Sequence, residues 1–393
     1  MQENDYFCSQ IATILIRNGI YIQFFALLLL LASCGQKQQQ PLVTPWGEIA
    51  DSIPADDAFD LDDIQRNGEL IALTLTGPEF YYDYRGRHLG THYLLAQRFA
   101  DFLGVSLRIE VCRDTVEMRQ RLNEGEADLI CYPLGANAPG WVVGTDKTDL
   151  QLQLRQWYQP QLLAEVRKQE DYLLSARSVK RRVFAPMLNR SGGVISHYDA
   201  YFQRYASTIR WDWRLLAAQC YQESTFDPQA RSWAGACGLM QIMPATADHL
   251  GLARADIFNP ELNVRAAVRY LAQLEMSFAD VRDRSERIKF VLAAYNGGGF
   301  HIRDAMALAR RYGRDASRWR EVEPFVLGLQ RPEYYNDPVV KNGYMRGSET
   351  ADYVRRILDR WNDYRGVKTI RHMDGPSGIP QKAKRERKKK YQI

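Results

Sequence analysis

Metal-binding patterns, long apolar runs and plentiful cysteine are all missing from this 393-residue chain, and each absence excludes a class. It has 6 Cys and 6 His with neither a CxxC nor an HExxH pattern among them, so neither a structural metal nor a metalloprotease site is expected. No GxGxxG or Walker sequence marks a phosphate loop, and no cofactor is implied. No apolar run reaches the roughly 20 residues needed to span a bilayer. Cysteine is too sparse for a disulfide-dense scaffold. Cys112 with Cys131, and Cys220 with Cys237, are admissible pairs in an oxidising compartment, with the connectivity left open. What is present is an ordinary globular composition, 46% hydrophobic and 25% charged, at a length that suggests two or three domains.

The two ends differ from the middle. Ile20 to Ala32 is an apolar run broken only by Gln23, preceded by Arg17 and followed by Ser33-Cys34-Gly35. Its length suits a signal-peptide core, and its ending resembles a bacterial lipobox, in which the Cys is lipidated and becomes the mature N-terminus. Residues 1–33 therefore read as a lipoprotein signal peptide, Cys34 as the lipidation site and 34–67 as a tether. The expected location is an exported lipoprotein on the periplasmic face of the outer membrane. At the other end, Lys382 to Lys390 carries seven positive charges and one negative, more than the whole chain's net +5. The tail 366–393 reads as disordered, while the folded part is neutral, so a nucleic-acid partner is not expected. A weak contact of the tail with anionic wall or lipid head groups is the more useful expectation.

Between these ends the pattern changes once. From Leu70 to Tyr132 short β-rich runs alternate with helical ones, which implies a parallel α/β sheet. Thr91 is the expected N-cap of a helix closed by Gly104. Beyond Gly192-Gly193 almost everything is helical, with Asn259, Ser285 and Ser348 as expected N-caps. The fold class is thus α+β multidomain, a small parallel α/β lobe at 68–158 followed by an all-α domain at 195–365, with 159–194 as a helical connection.

In the helical run Trp213 to Gln222, Leu216, Cys220 and Glu223 share one face. A carboxylate ending an apolar stripe at a helix C-terminus has both burial and the helix dipole raising its proton affinity. A carboxylic acid still protonated near neutral pH is what protonation of a glycosidic oxygen requires.

Four blocks give that residue a context: Glu223-Ser224-Thr225-Phe226-Asp227-Pro228 with Ser232, Gly235 to Pro244, Ala294-Tyr295-Asn296-Gly297-Gly298, and Glu349-Thr350-x-x-Tyr353-Val354. In this order and spacing over about 195–365 they resemble the soluble lytic transglycosylase catalytic domain, an all-α, lysozyme-superfamily domain. Within that family the chain resembles the membrane-bound type, in which a receptor-like α/β domain precedes the enzyme and Asp212 to Gln219 leads into the catalytic Glu.

The resemblance implies cleavage of the peptidoglycan bond between N-acetylmuramic acid and N-acetylglucosamine, leaving a 1,6-anhydro end, with Glu223 as the single catalytic acid and base. It implies substrate contacts at Ser232, Gln241, Met243, Tyr295, Asn296 and Glu349. Asp227, before Pro228, reads instead as a local cap. A catalytically silent wall-binding lipoprotein and a lysozyme-like hydrolase are the alternatives. The region 68–158 resembles the first lobe of a solute-binding protein whose second lobe is missing, since only Pro133 to Gly140 separates strand from returning strand. Spacing the enzyme or docking a cell-wall machinery partner is then as reasonable a role as ligand sensing.

Overall fold

The computed structural model of the protein describes residues 59–136 and 139–366. The signal peptide, Cys34, the tether up to residue 58 and the tail beyond Gly366 lie outside the described residues. Residues assigned to the end of the tether are in fact folded. Helix α1 (Leu61–Asn67) is capped by Asp60, stopped by left-handed Gly68, and buries Ile64 in the core of the α/β lobe. The lobe therefore begins before residue 68.

Strand β1 (Glu69–Thr74) leads to a hairpin, β2 (Tyr82–Tyr84) and β3 (Arg87–Leu89), then to α2 (Thr91–Leu103), β4 (Ser106–Val111), α3 (Thr115–Asn123), β5 (Leu129–Ile130), β6 (Val142–Val143), α4 (Thr148–Trp157) and α5 (Pro160–Leu174). The sheet order is β4-β1-β5-β6, with β1 parallel to both neighbours and β6 antiparallel to β5. Leu70, Ala72, Leu73 and Thr74 of the central strand are buried, as a parallel sheet covered on both faces demands. Only residues 131–141 lie between β5 and β6. Helix α5, expected in the connection 159–194, packs on α2 and contributes Val166 to the lobe's core. The hairpin escaped the sequence reading. Its tip, Arg85-Gly86, has φ of 53° and 71°, the left-handed pair of a type I′ turn, and its Tyr82 and Leu89 belong to the core of the helical domain.

The helical domain comprises α6 (Asp199–Ala206), α7 (Trp213–Ser224), α8 (Pro244–His249), α9 (Pro260–Ser277), α10 (Arg284–Gly297), α11 (Gly299–Arg311), α12 (Trp319–Gly328), α13 (Pro332–Tyr335) and α14 (Gly347–Tyr364). Helix α7 is the central one, packed between α6 and α14 and burying Leu215 to Cys220 without interruption. Asn259 caps α9 as expected. Other expected caps shift. Gly90, not Thr91, stands at the N-cap of α2, because the Thr91 hydroxyl donates to buried Glu170. Asp283, not Ser285, caps α10, its carboxylate taking the Ser285 and Glu286 N–H groups. Ser348 lies inside α14 and donates to Gln330. All four described cysteines are free and buried, so neither admissible disulfide is formed. Among the described residues no helix is long and apolar enough to cross a membrane.

Helix α14 approaches α12 closely at Gly347, where an added Cβ would lie 1.8 Å from the Val326 carbonyl oxygen. Backbone against backbone leaves no flexible side chain to yield. Gly347→Ala is therefore expected to destabilise the protein by about 1–3 kcal/mol, the range for an overpacked core. Urea denaturation measures this, and a change within about 0.5 kcal/mol, as at an indifferent surface site, would show that the contact is relieved at no cost.

Candidate active site

Glu223 sits in the last turn of α7, 8% exposed. The helix ends just beyond it because Thr225 and Phe226 take positive φ, 54° and 63°. Its Oε1 accepts a 2.5 Å hydrogen bond from Tyr353 Oη on α14, and Gln219 Nε2 donates to that same phenol oxygen at 3.2 Å. Burial pushes the Glu223 pKa above the ordinary carboxylate range. The positive charge of Arg85, the Tyr353 bond and Arg181 pull against it, and burial wins. Tyr353 and Tyr295 are raised well above the ordinary phenol range by burial and by the Glu223 charge, so both stay protonated and can donate.

The carboxyl borders an open cavity of about 1020 Å³ lined by both the helical domain and the α/β lobe, a volume suited to a ligand of several sugar or peptide units. Met243, Tyr295 and Asn296 line it. The Tyr295 hydroxyl donates to the Met240 carbonyl at 2.8 Å, and Asn296 Oδ1 accepts from Thr350, so both also brace the wall they form. Ser232 and Gln241 do not line this cavity. Ser232 Oγ accepts the Ala236 N–H at 3.0 Å, and Gln241, at φ 50°, donates its amide to Ala230 and Gly238 carbonyls. Both shape the loop before α8 through backbone bonds. Asp227 accepts the nearby Gln229 N–H, as a local cap does, and also the Arg182 N–H from 45 positions away.

Glu349 lies outside the large cavity and is paired with residues of the hairpin. Its Oε1 accepts from Arg85 at 2.7 Å and from Tyr84 Oη at 2.9 Å, two residues of the hairpin tip, with Arg346 at 3.6 Å on Oε2. Three site groups were therefore missed. Tyr353 lay within a quoted motif and was legible there. Arg85 belongs to the other domain, 264 positions from its partner, and no local pattern announces it. His301 lines the cavity with its buried Nδ1 lacking a hydrogen-bond partner, and burial holds the ring neutral. Among the described residues no three His, Cys, Asp or Glu side chains are grouped to hold a metal ion.

Residues 200–317, from α6 into the segment after α11, match the family described as Transglycosylase SLT domain. That match spans less than a third of the chain. It is similar, at 41% identity over 168 residues, to a membrane-bound lytic murein transglycosylase F of Desulfosudis oleivorans, covering 43% of this chain and 36% of that protein. The protein of the same description from Sodalis glossinidius is 28% identical over 411 residues, covering 75% of this chain and 87% of that one. Among solved structures, the 70 kDa soluble lytic transglycosylase of Escherichia coli shares 27% identity over 43% of this chain and 24% of its own, at a TM-score of 0.31. For the Desulfosudis protein and others of its description, the matched part is about a third of the relative's own length. Glu223, the Tyr295-Asn296 wall and the loop carrying Gln241 all fall within the SLT match, whereas Arg85, Glu349 and Tyr353 lie outside it.

The raised Glu223 pKa has a consequence for stability. Between the ordinary glutamate value of 4.5 and the raised folded value, the native state holds a proton that the unfolded chain has lost, so stability falls as pH rises through that window. Glu223→Gln removes the titration. Its thermal stability relative to wild type is expected to grow as pH climbs from 4 upward and to level off above the folded pKa. A pH-independent difference would mean that Glu223 titrates as an ordinary carboxylate.

Proposed function

We propose that this chain is a peptidoglycan lytic transglycosylase, cleaving the β-1,4 bond between N-acetylmuramic acid and N-acetylglucosamine with formation of a 1,6-anhydromuramic end. The observation that carries the reading is Glu223, a buried carboxyl with raised proton affinity at the wall of a large cleft, bonded to a protonated phenol. Such a group serves as acid and then as base. Glu223 gives its proton to the glycosidic oxygen as the bond from that oxygen to the muramic C1 breaks. The C6 hydroxyl of the same sugar then bonds to C1 and returns its proton to the Glu223 carboxylate. The acid is regenerated and no water is consumed. Because the nucleophile belongs to the substrate, its high effective molarity replaces a second catalytic carboxylate. The state of the other acids agrees: Glu349 is held by Arg85 and Tyr84, and Asp227 by backbone N–H groups.

The proposal extends to the setting. The leader pattern and Cys34 support export and lipid attachment at the periplasmic face of the outer membrane, and relatives bearing the description membrane-bound accord with an envelope location. Contact between the hairpin and Glu349 supports a role for the lobe in shaping the substrate site, beyond that of a spacer.

Digestion of purified sacculi, with sugar ends identified by mass spectrometry, tests the activity. Anhydro ends are expected. Reducing ends would indicate hydrolysis, and no release would indicate a wall-binding protein. Glu223→Gln is expected to lower the rate by at least about 10²–10⁴-fold, the usual worth of general acid–base catalysis, while sedimentation with sacculi persists. Since the protonated acid starts the reaction, the rate should fall as pH rises through the Glu223 pKa. Tyr353→Phe removes a bond that favours the ionised form and should move that alkaline limb upward.

A further inference from the structure

We propose that Arg181, on the strap that carries the chain from the α/β lobe to the helical domain, is a positioning residue for Glu223, holding the last turn of α7 and facing the acid with a positive charge. This inference rests on the proposed transglycosylase activity and deepens it by adding a residue to its machinery.

The turn after Glu223 needs support from outside. Helix α7 stops at Ser224, and the last carbonyls of a helix find no partner within it. Thr225 and Phe226 then take φ of 54° and 63°, a left-handed pair without a glycine, which β-branched and aromatic residues disfavour. The strap supplies what this turn lacks. Arg181 Nη1 donates to the Glu223 carbonyl at 3.1 Å. At the next residue the backbone bonds in both directions: the Arg182 N–H donates to Asp227 Oδ2 at 2.6 Å, and its carbonyl accepts from Thr225 Oγ1 at 2.7 Å. Lys180 and Arg231 exchange a pair of backbone bonds, each of 2.9 Å. Farther along, Tyr364 Oη of α14 donates to the Pro186 carbonyl at 2.6 Å and pins the strap to the helical domain. Consecutive residues thus grip the turn, and its strain sits beside the acid where that grip is strongest.

Lys180 and Arg182 act here through their backbones, whereas Arg181 acts through its side chain. A cation at the carbonyl end of a helix suits the dipole, and this one bonds the residue that bears the acid. Its charge also reaches the carboxyl. Burial raises the proton affinity of Glu223. Arg85 of the hairpin, the Tyr353 bond from α14 and Arg181 of the strap lower it, and the charge of Glu349 on α14 adds to the rise. Tyr295 of α10 and Cys220 of α7 also lie near enough to feel the Glu223 charge, and burial keeps both protonated. Arg85 and Arg181 are therefore the cations that oppose burial, and Arg181 is the one tied to the acid's own backbone.

The test compares full-length Arg181→Gln and Arg181→Lys with wild type by two readouts. One is the pH–rate profile of anhydro-end release from soluble glycan strands. The other is the pH titration of the Glu223 side-chain carboxyl by carbon-13 NMR, which needs no turnover. Arg181 is exposed, so neither exchange empties the core. Arg181→Gln is expected to lower kcat by about tenfold or more, toward the roughly 10²-fold that an ångström of misplacement can cost, with KM little changed. Loss of a nearby cation favours the protonated acid, so the alkaline limb of the rate and the carboxyl midpoint should both move to higher pH. Arg181→Lys restores the charge and should bring both back toward wild type. A rate loss uniform across pH with an unmoved midpoint would make Arg181 merely structural and overturn the inference, and so would a profile identical to wild type. A wild type that releases no anhydro ends, beside a midpoint that moves in Arg181→Gln, would remove the activity and leave Arg181 as the residue that tunes Glu223.

Discussion

A carboxyl on the core side of a central helix has to be reconciled with its surroundings, and much of the helical domain's arrangement follows from how Glu223 is satisfied. Burying an ionised carboxylate is costly, so the proton affinity of Glu223 rises and the group takes a hydrogen bond. The partner, Tyr353, comes from α14 at the far end of the sequence, and its oxygen also accepts from Gln219, one turn earlier on α7. For that phenol to reach, α14 must lie directly on α7. The close approach of its N-terminus to α12 at Gly347 belongs to the same packing. The chemistry proposed for Glu223 and the packing of its domain are therefore one problem with one solution.

The second constraint is electrostatic and joins the two domains. Arg85 lies at the tip of a hairpin that belongs to the α/β lobe by sequence and to the helical core by packing. Its charge opposes the effect of burial on Glu223, and it also pairs with Glu349. A single side chain thus tunes Glu223, pairs with a second carboxylate and borders the cleft. The lobe meets the helical domain again where Tyr344 N–H donates to Thr76 Oγ1 at 3.0 Å and the Tyr344 ring packs edge-on against Tyr82 at 5.0 Å. A lobe with so many contacts at the site is part of the site.

Much of this was legible in the sequence, and what was not has physical reasons. The alternation of strand and helix from Leu70 to Tyr132, the helix ending at Gly104 and the burial of Glu223 with Leu216 and Cys220 all follow from period and from single residues. Capping was less legible, because a carboxylate two positions upstream outcompetes a serine hydroxyl, as Asp283 does Ser285. Ser232 and Gln241 sit in a matching motif yet turn to the backbone, since a loop crowded with left-handed residues leaves N–H and C=O groups that their side chains must satisfy. Arg85 was unreadable for another reason: its meaning depends on a contact across 264 positions, and long-range contacts leave no periodic trace. The same holds for the cysteines, whose spacing permitted pairs that the packing did not bring together.

The central claim is that Glu223 is a protonated acid under conditions where ordinary carboxylates are ionised. Carbon-13 NMR of protein labelled at the glutamate side-chain carboxyls, titrated with pH and assigned by difference from Glu223→Gln, measures it directly. One resonance that is absent from the variant should titrate above the ordinary glutamate value of 4.5. If that resonance titrates at or below the ordinary value, burial does not outweigh Arg85 and Tyr353, and the proposed acid catalysis loses its physical basis.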